Sequence, residues 1–181
     1  AFQNIKPTNK RYMLALDASG SMSMGLIAGV AGLTPREGSA AMAMVTARTE
    51  RKYSVISFQD KIVPLNISAR MRLDDVVKAT SNLPFGRTDC VQPMLYALKK
   101  KIKVDAFVIY TDSETWFGKT HPVEALREYR QKMGIDARLI VVGMVSNDFT
   151  IADPNDAGML DVVGFDSAAP GLIADFVRGE L

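Results

Sequence analysis

Two short runs, Tyr12 to Leu16 (YMLAL) and Ala106 to Tyr110 (AFVIY), are apolar without alternation, and each leads straight to an acid, Asp17 or Thr111-Asp112. An unbroken apolar run of this length is the pattern of a strand buried on both faces. Such a strand needs cover on each side, and the segments between the apolar runs supply it with a helical 3.6-residue period. Ser39 to Glu50 presents Ala40, Met44 and Val45 on one face. Leu73 to Asn82 opens with Asp74 and Asp75, where the helix dipole favours acids. Val91 to Lys101 carries Pro93 near its start and lysines at its end, and Pro122 to Met133 is closed by Gly134. Further strands are expected at Tyr53 to Phe58, Ile62 to Ile67, Ala137 to Gly143 and Asp161 to Phe165, with a closing amphipathic helix at Leu172 to Arg178.

Strands alternating with crossover helices predict an α/β fold: a doubly wound, mostly parallel sheet with helices on both faces. One edge strand is expected to run antiparallel, because only Gln59-Asp60-Lys61 separates Phe58 from Ile62 and Pro64 restricts that strand to an edge. The 181 residues fit a single domain over 1–181, with no internal repeat or linker. Hydrophobic residues at 48% and charged residues at 23% exclude a disordered or low-complexity chain. A net charge of +2 gives no general attraction to nucleic acid. The apolar stretch Met24 to Leu33 is about half the ~20 residues of a membrane span, and residues 1–11 lack a signal peptide's apolar run. The Ala start, followed within ten residues by a strand, is expected of an excised domain or of a processed or engineered piece.

In doubly wound sheets ligands bind beyond the carboxyl ends of the strands, where strand order reverses. There the sequence places Asp17-Ala18-Ser19-Gly20-Ser21, a D-x-S-x-S pattern, and Asp112, with Phe85-Gly86-Arg87-Thr88-Asp89 as a third loop between them. The pattern alone turns up by chance in a chain of this length on the order of 5% of the time, so its position carries the weight. One cysteine (Cys90) and one histidine (His121) exclude a disulfide framework and a multi-imidazole zinc site. What remains is a set of hard oxygens, Asp17, Ser19, Ser21, Thr88 and Asp112, suited to Mg²⁺ or Mn²⁺. Hydroxyls neutralise little of the ion's charge, so a bound cation would seek an anionic partner such as a carboxylate from another protein.

Each element also has a plainer reading. Polar residues at strand-to-helix junctions are commonly caps and turns. Lys99-Lys100-Lys101 reads as a solvated helix end, His121 as a cap or turn residue, Cys90 as a buried inert thiol, and Asp153 to Asp156 as a turn. Trp116 and Phe117 are expected either as an aromatic rim beside the site or as core. The Gly-containing loop from Met22 to Gly38 either covers the metal face or adds a helical turn. A Mg²⁺-dependent phosphoryl-transfer enzyme is the competing reading, weakened because Ser19 stands two places after Asp17, where a second carboxylate would serve acid–base chemistry. A nucleotide-binding domain is weaker still, with neither G-x-G-x-x-G nor a Walker pattern present.

Asp17, Ser19, Ser21, Thr88 and Asp112 together resemble the metal-ion-dependent adhesion site (MIDAS) of von Willebrand factor A (vWA) domains, the integrin I-like fold, over essentially the whole chain. That resemblance implies direct or near-direct coordination by Ser19, Ser21 and Thr88, with Asp17 and Asp112 holding the ion directly or through water. It also implies a non-enzymatic module. LALDASGSM, GRTDCVQPM, YTDSETW and HPVEALREYRQKMGI are similar, more narrowly, to the A domain of the Ro-autoantigen type in the TROVE family of cytoplasmic ribonucleoproteins. The narrower resemblance implies RNA binding, of Y RNAs among others, through a ring of helical repeats that these residues lack. A monomer is expected, with an acidic protein ligand, no membrane partner and, as an alternative, a direct contribution to RNA binding.

Overall fold

A computed structural model describes residues 5–27, 32–81, 86–112, 119–145 and 151–181. These form strands β1 (Arg11–Asp17), β2 (Lys52–Phe58), β3 (Ile62–Pro64), β4 (Ala106–Thr111), β5 (Arg138–Gly143) and β6 (Met159–Val163). The helices are α1 (Pro35–Thr49), α2 (Leu73–Ser81), α3 (Gln92–Lys100), α4 (Pro122–Met133) and α5 (Ala169–Arg178). A 3₁₀ turn over Gly20–Ser23 follows β1.

The sheet order is β3-β2-β1-β4-β5-β6. Every pairing is parallel except β2 with β3, which is antiparallel as the short hairpin required. The chain winds outward from β1 to β3, returns to the centre at β4, and winds outward again to β6. The reversal therefore falls between β1 and β4, and the crevice at their carboxyl ends is the switch point.

Alternate residues of the buried strands face opposite layers. Leu14, Leu16, Val108, Tyr110, Ile140 and Val142 join one core with Ala40, Ala43, Met44 and Ala47 of α1, Val76 of α2, and Ile173 and Val177 of α5. Met13, Ala15, Phe107, Ile109, Leu139 and Val141 join the other, with Met94 and Ala97 of α3 and Leu126 and Tyr129 of α4. Phe107 and Tyr129 meet edge to face at 4.9 Å, and the Tyr129 hydroxyl donates to the Ile102 carbonyl (2.7 Å) while accepting from the Val104 N–H (2.8 Å). That arrangement fixes the descent from α3 into β4. Burial on both sides explains the unbroken apolar runs of β1 and β4 that lead up to Asp17 and Thr111.

Helix ends follow local chemistry. His121 caps α4, its Nδ1 accepting from the Val123 N–H at 3.2 Å while Glu124 reaches back, and Gly134 closes the helix at φ +63°. Asp153 to Asp156 is a turn, with Asp153 accepting from the Asn155 N–H at 3.0 Å and Asp156 paired with Arg130. Lys99, Lys100 and Lys101 are exposed at the end of α3.

Several bounds differ from the sequence reading. Helix α1 begins at Pro35 rather than Ser39, because Thr34 and Glu37 form a capping box ahead of the apolar face. The β3 strand stops at Pro64 instead of Ile67, since Pro64 has no N–H to continue the ladder. The β6 strand starts at Met159 and ends at Val163, and α5 starts three residues earlier, at Ala169. Asn82, Phe85, Trp116 and Phe117, named in the sequence reading, and positions 28–31 of the Met22–Gly38 loop lie outside the described residues. No helix among the described residues is long and apolar enough to cross a membrane.

Candidate metal centre

The register places Leu16 beside Tyr110, which brings the end of β1 against the end of β4. Asp17 therefore lies next to Thr111, and the chain after each strand turns into the same crevice. All five residues anticipated from sequence converge there. The Ser19 N–H donates to Asp17 Oδ1 at 2.8 Å, folding the D-x-S-x-S loop back on its first residue. The Ser19 and Ser21 hydroxyls lie 3.1 Å apart, the Ser21 hydroxyl donates to Asp112 Oδ1 at 3.1 Å, and the Thr88 hydroxyl donates to Asp17 Oδ2 at 3.2 Å.

These separations are those of hydrogen-bonded hydroxyls and carboxylates, and they are also compatible with neighbouring ligands of one ion. Adjacent ligands of an octahedral Mg²⁺, each ~2.0–2.1 Å from the metal, stand about 3 Å apart, the edge of the octahedron. Ser19–Ser21, Ser21–Asp112 and Thr88–Asp17 all have that spacing. The set is made of hard oxygens only, the donor chemistry that a divalent cation such as Mg²⁺ takes. Among the described residues no three of His, Cys, Asp and Glu come together, so hydroxyls rather than a carboxylate cage define the site.

Burial grades across the crevice. Asp17 is 1% exposed and Ser19 5%, Thr88 and Asp112 are half-buried, and Ser21 is open to solvent. Burial raises the Asp17 carboxyl above its usual range, opposed by the bonds from Thr111 and Ser19. Burial raises Asp112 as well, opposed by the Ser21 hydroxyl. Two carboxylates pushed toward protonation by lost water are poised to gain from a cation that replaces it.

Two supporting residues were not foreseen. Thr111, wholly buried, donates to Asp17 Oδ2 at 2.6 Å. Arg36, in the first turn of α1, donates from Nε to the Ser23 hydroxyl (2.9 Å) and from a terminal nitrogen to the Ser19 carbonyl (3.2 Å). Its other terminal nitrogen donates to the Thr80 carbonyl at the end of α2. Burial lowers its pKa, with Asp17 and Asp112 acting in the opposite sense. The T-x-x-E signal at Thr34 marked this helix start in the sequence, but no pattern there pointed to Arg36 itself.

The third loop is tied to the first through Gln59, at the end of β2. Its amide donates to the Ala18 carbonyl at 3.1 Å, and its own carbonyl accepts from the Asp89 N–H at 3.2 Å. Gly86 lies against the Gln59 side chain so closely that a Cβ there would collide with it, which explains the glycine in that turn. Cys90 is fully buried beside this loop, its thiol raised well above the usual range by burial and by Asp17 and Asp89. It has the character of an inert core residue.

Comparison with known proteins agrees with this fold. Residues 11–177 match the family described as the Ro60 vWA domain. The chain is 49% identical over 181 residues to the RNA-binding protein RO60 of Deinococcus radiodurans, covering all of this chain and 34% of that protein. It is 44% identical over 182 aligned residues to the RNA-binding protein RO60 of Caenorhabditis elegans, covering 28% of it. The chain thus spans about a third of the length of these relatives. The crystal structure of the D. radiodurans Ro (RSR) protein superposes with a TM-score of 0.91 at 48% identity, over 99% of this chain and 36% of that one.

Proposed function

The chain belongs to the Ro60 vWA domain family, and on that premise we propose that it is the metal-ion-dependent binding module of a Ro-type RNA-binding protein. In this reading a Mg²⁺ or Mn²⁺ ion is held by Asp17, Ser19, Ser21, Thr88 and Asp112. Ser19, Ser21 and Thr88 offer neutral oxygens at the ion, while Asp17 and Asp112 anchor it directly or through water. The observation that carries the reading is the convergence of five oxygen-bearing side chains, two carboxylates and three hydroxyls, in one crevice at the switch point of the sheet. Ser21, the solvent-facing member of the set, marks the side from which an external carboxylate from an acidic protein ligand would complete the shell.

The site serves binding rather than turnover. A phosphoryl-transfer enzyme would need a base beside the metal, yet His121 is engaged as the cap of α4, and the residue two after Asp17 is a serine. RNA binding, the named property of the relatives, is assigned to the parts of those proteins that this chain does not cover, with a direct contribution from this domain as the alternative. The setting is cytoplasmic and the domain monomeric in this reading. A single buried free cysteine is compatible with a reducing compartment.

Calorimetric titration with Mg²⁺ and Mn²⁺ tests the assignment against Asp112→Ala. The parent binds with 1:1 stoichiometry and the variant does not, while both give the same far-ultraviolet circular dichroism. Equal binding by the two would refute the site.

A further inference from the structure

Arg36 occupies a position that is unfavourable for an arginine on three counts. It lies in the first turn of α1, at the positive end of the helix dipole, where a cation is disfavoured. It is 4% exposed. Among the described residues its guanidinium donates only to neutral oxygens, those of Ser23, Ser19 and Thr80, and to no carboxylate. A buried charge without a bonded counter-ion is among the costlier things a fold can hold. The carboxylates that act on it through space are Asp17 and Asp112 of the metal site.

The three bonds join parts that the site needs held together. Ser19 and Ser23 belong to the loop after β1 that carries two of the hydroxyls, and Thr80 belongs to the last turn of α2, on the way to Gly86 and Thr88. Hydrogen bonds to such oxygens do not in themselves require a permanent charge. The charge has a separate consequence: its terminal nitrogen sits 3.2 Å from the carbonyl of Ser19, the residue whose N–H bonds Asp17, so its field reaches Asp17 and Asp112, the carboxylates that a divalent ion would meet.

Resting on the metal reading above, we infer that Arg36 is a positioning residue and the built-in counter-charge of the site. Its fork locks the Ser19–Ser23 loop to the end of α2. Its charge steadies Asp17 and Asp112 in the cation-free protein and opposes the incoming ion. The bare site consequently binds a divalent cation less tightly than its oxygens alone would, and an anionic ligand is needed to bring the shell to full affinity.

Charge and fork separate in a set of variants of the 181-residue chain, titrated with Mn²⁺ by calorimetry in a carboxylate-free buffer and melted without added metal. Arg36→Met and Arg36→Gln remove the charge, and Gln keeps a donor for the loop if Met does not fold. Both are expected to bind Mn²⁺ roughly three- to tenfold more tightly than the parent, the size of a like-charge repulsion removed at second-neighbour range. Arg36→Lys restores the charge without the planar fork, so its affinity returns to within about twofold of the parent although its melting temperature falls. A residue with only a structural role would lower the melting temperature and never raise affinity. Neutral variants that bind Mn²⁺ no more tightly than the parent overturn the inference, as does a Lys variant that matches Met. A parent that binds no Mn²⁺ defeats the metal assignment itself and this inference with it.

Discussion

Thr111 donates its hydroxyl to Asp17 Oδ2 at 2.6 Å across the β1–β4 boundary, from a position with no solvent contact. That bond links the two central strands at the point where strand order reverses. It also helps to aim the deepest carboxylate of the crevice, which is bonded in addition by the Ser19 N–H and the Thr88 hydroxyl.

Thr111→Val keeps the shape and removes the donor. Asp17, already raised by burial, loses a bond that favours its charged form, so it rises further and binds a cation less well. A loss on the order of tenfold in Mn²⁺ affinity is expected, with about 1–3 kcal/mol of stability lost for the underserved buried carboxylate. Calorimetry and denaturant melts check the two parts, and an unchanged affinity would show that the bond serves only the fold.

The central strands were legible because their environment writes itself into sequence: burial on both faces leaves an unbroken apolar run, and the first acid after it marks its carboxyl end. Asp17 and Asp112 stood out for that reason. Thr111 did not, since a threonine closing a strand is ordinary and its partner is fixed only by the Leu16–Tyr110 register, a relationship 94 residues apart. Arg36 was equally silent, its role set by three elements that converge only in space. The start of α1 was written in Thr34, Pro35 and Glu37, but the apolar face begins later and drew the boundary with it.

His121 and Glu124 cap the start of α4 at the carboxyl end of the sheet, near β4 in sequence but without a role in the metal set. His121→Ala should cost ~1 kcal/mol, the worth of a lost cap, and His121→Asn should recover most of it. Mn²⁺ affinity stays at the parent value in both. A fall in affinity for His121→Ala without a matching fall in stability would give this histidine a place in the site.

At the opposite end of the sheet, Asp105 accepts from the Arg11 N–H (2.8 Å), Nε (2.8 Å) and a terminal nitrogen (2.6 Å), which holds its carboxyl below the usual range. A depressed folded-state value means that the unfolded chain binds the proton more tightly. The contribution is therefore fully present above the ordinary Asp range and is lost as pH falls through the folded-state value. With both side chains partly solvated the effect is about 1 kcal/mol. Melts from neutral to acid pH should show Asp105→Asn less stable than the parent near pH 7, the two converging in acid. A constant gap at all pH values would mean packing rather than charge.

Cys90 is buried beside the Thr88 loop with its thiol raised by burial. An aromatic disulfide reagent should leave it unmodified in the folded protein and react stoichiometrically in denaturant. Rapid reaction under native conditions would indicate that this loop opens.

The central claim is that five oxygen-bearing side chains at the switch point form one divalent-cation site. Diffraction from crystals of this chain grown in Mn²⁺, with data at a wavelength where manganese scatters anomalously, tests it most directly. The account predicts one strong anomalous peak among Ser19, Ser21 and Thr88, octahedrally surrounded, with Asp17 and Asp112 bound to it directly or through water. A crevice with no peak, or a Mn²⁺ ion bound elsewhere on the domain while these five remain tied to one another, would contradict it.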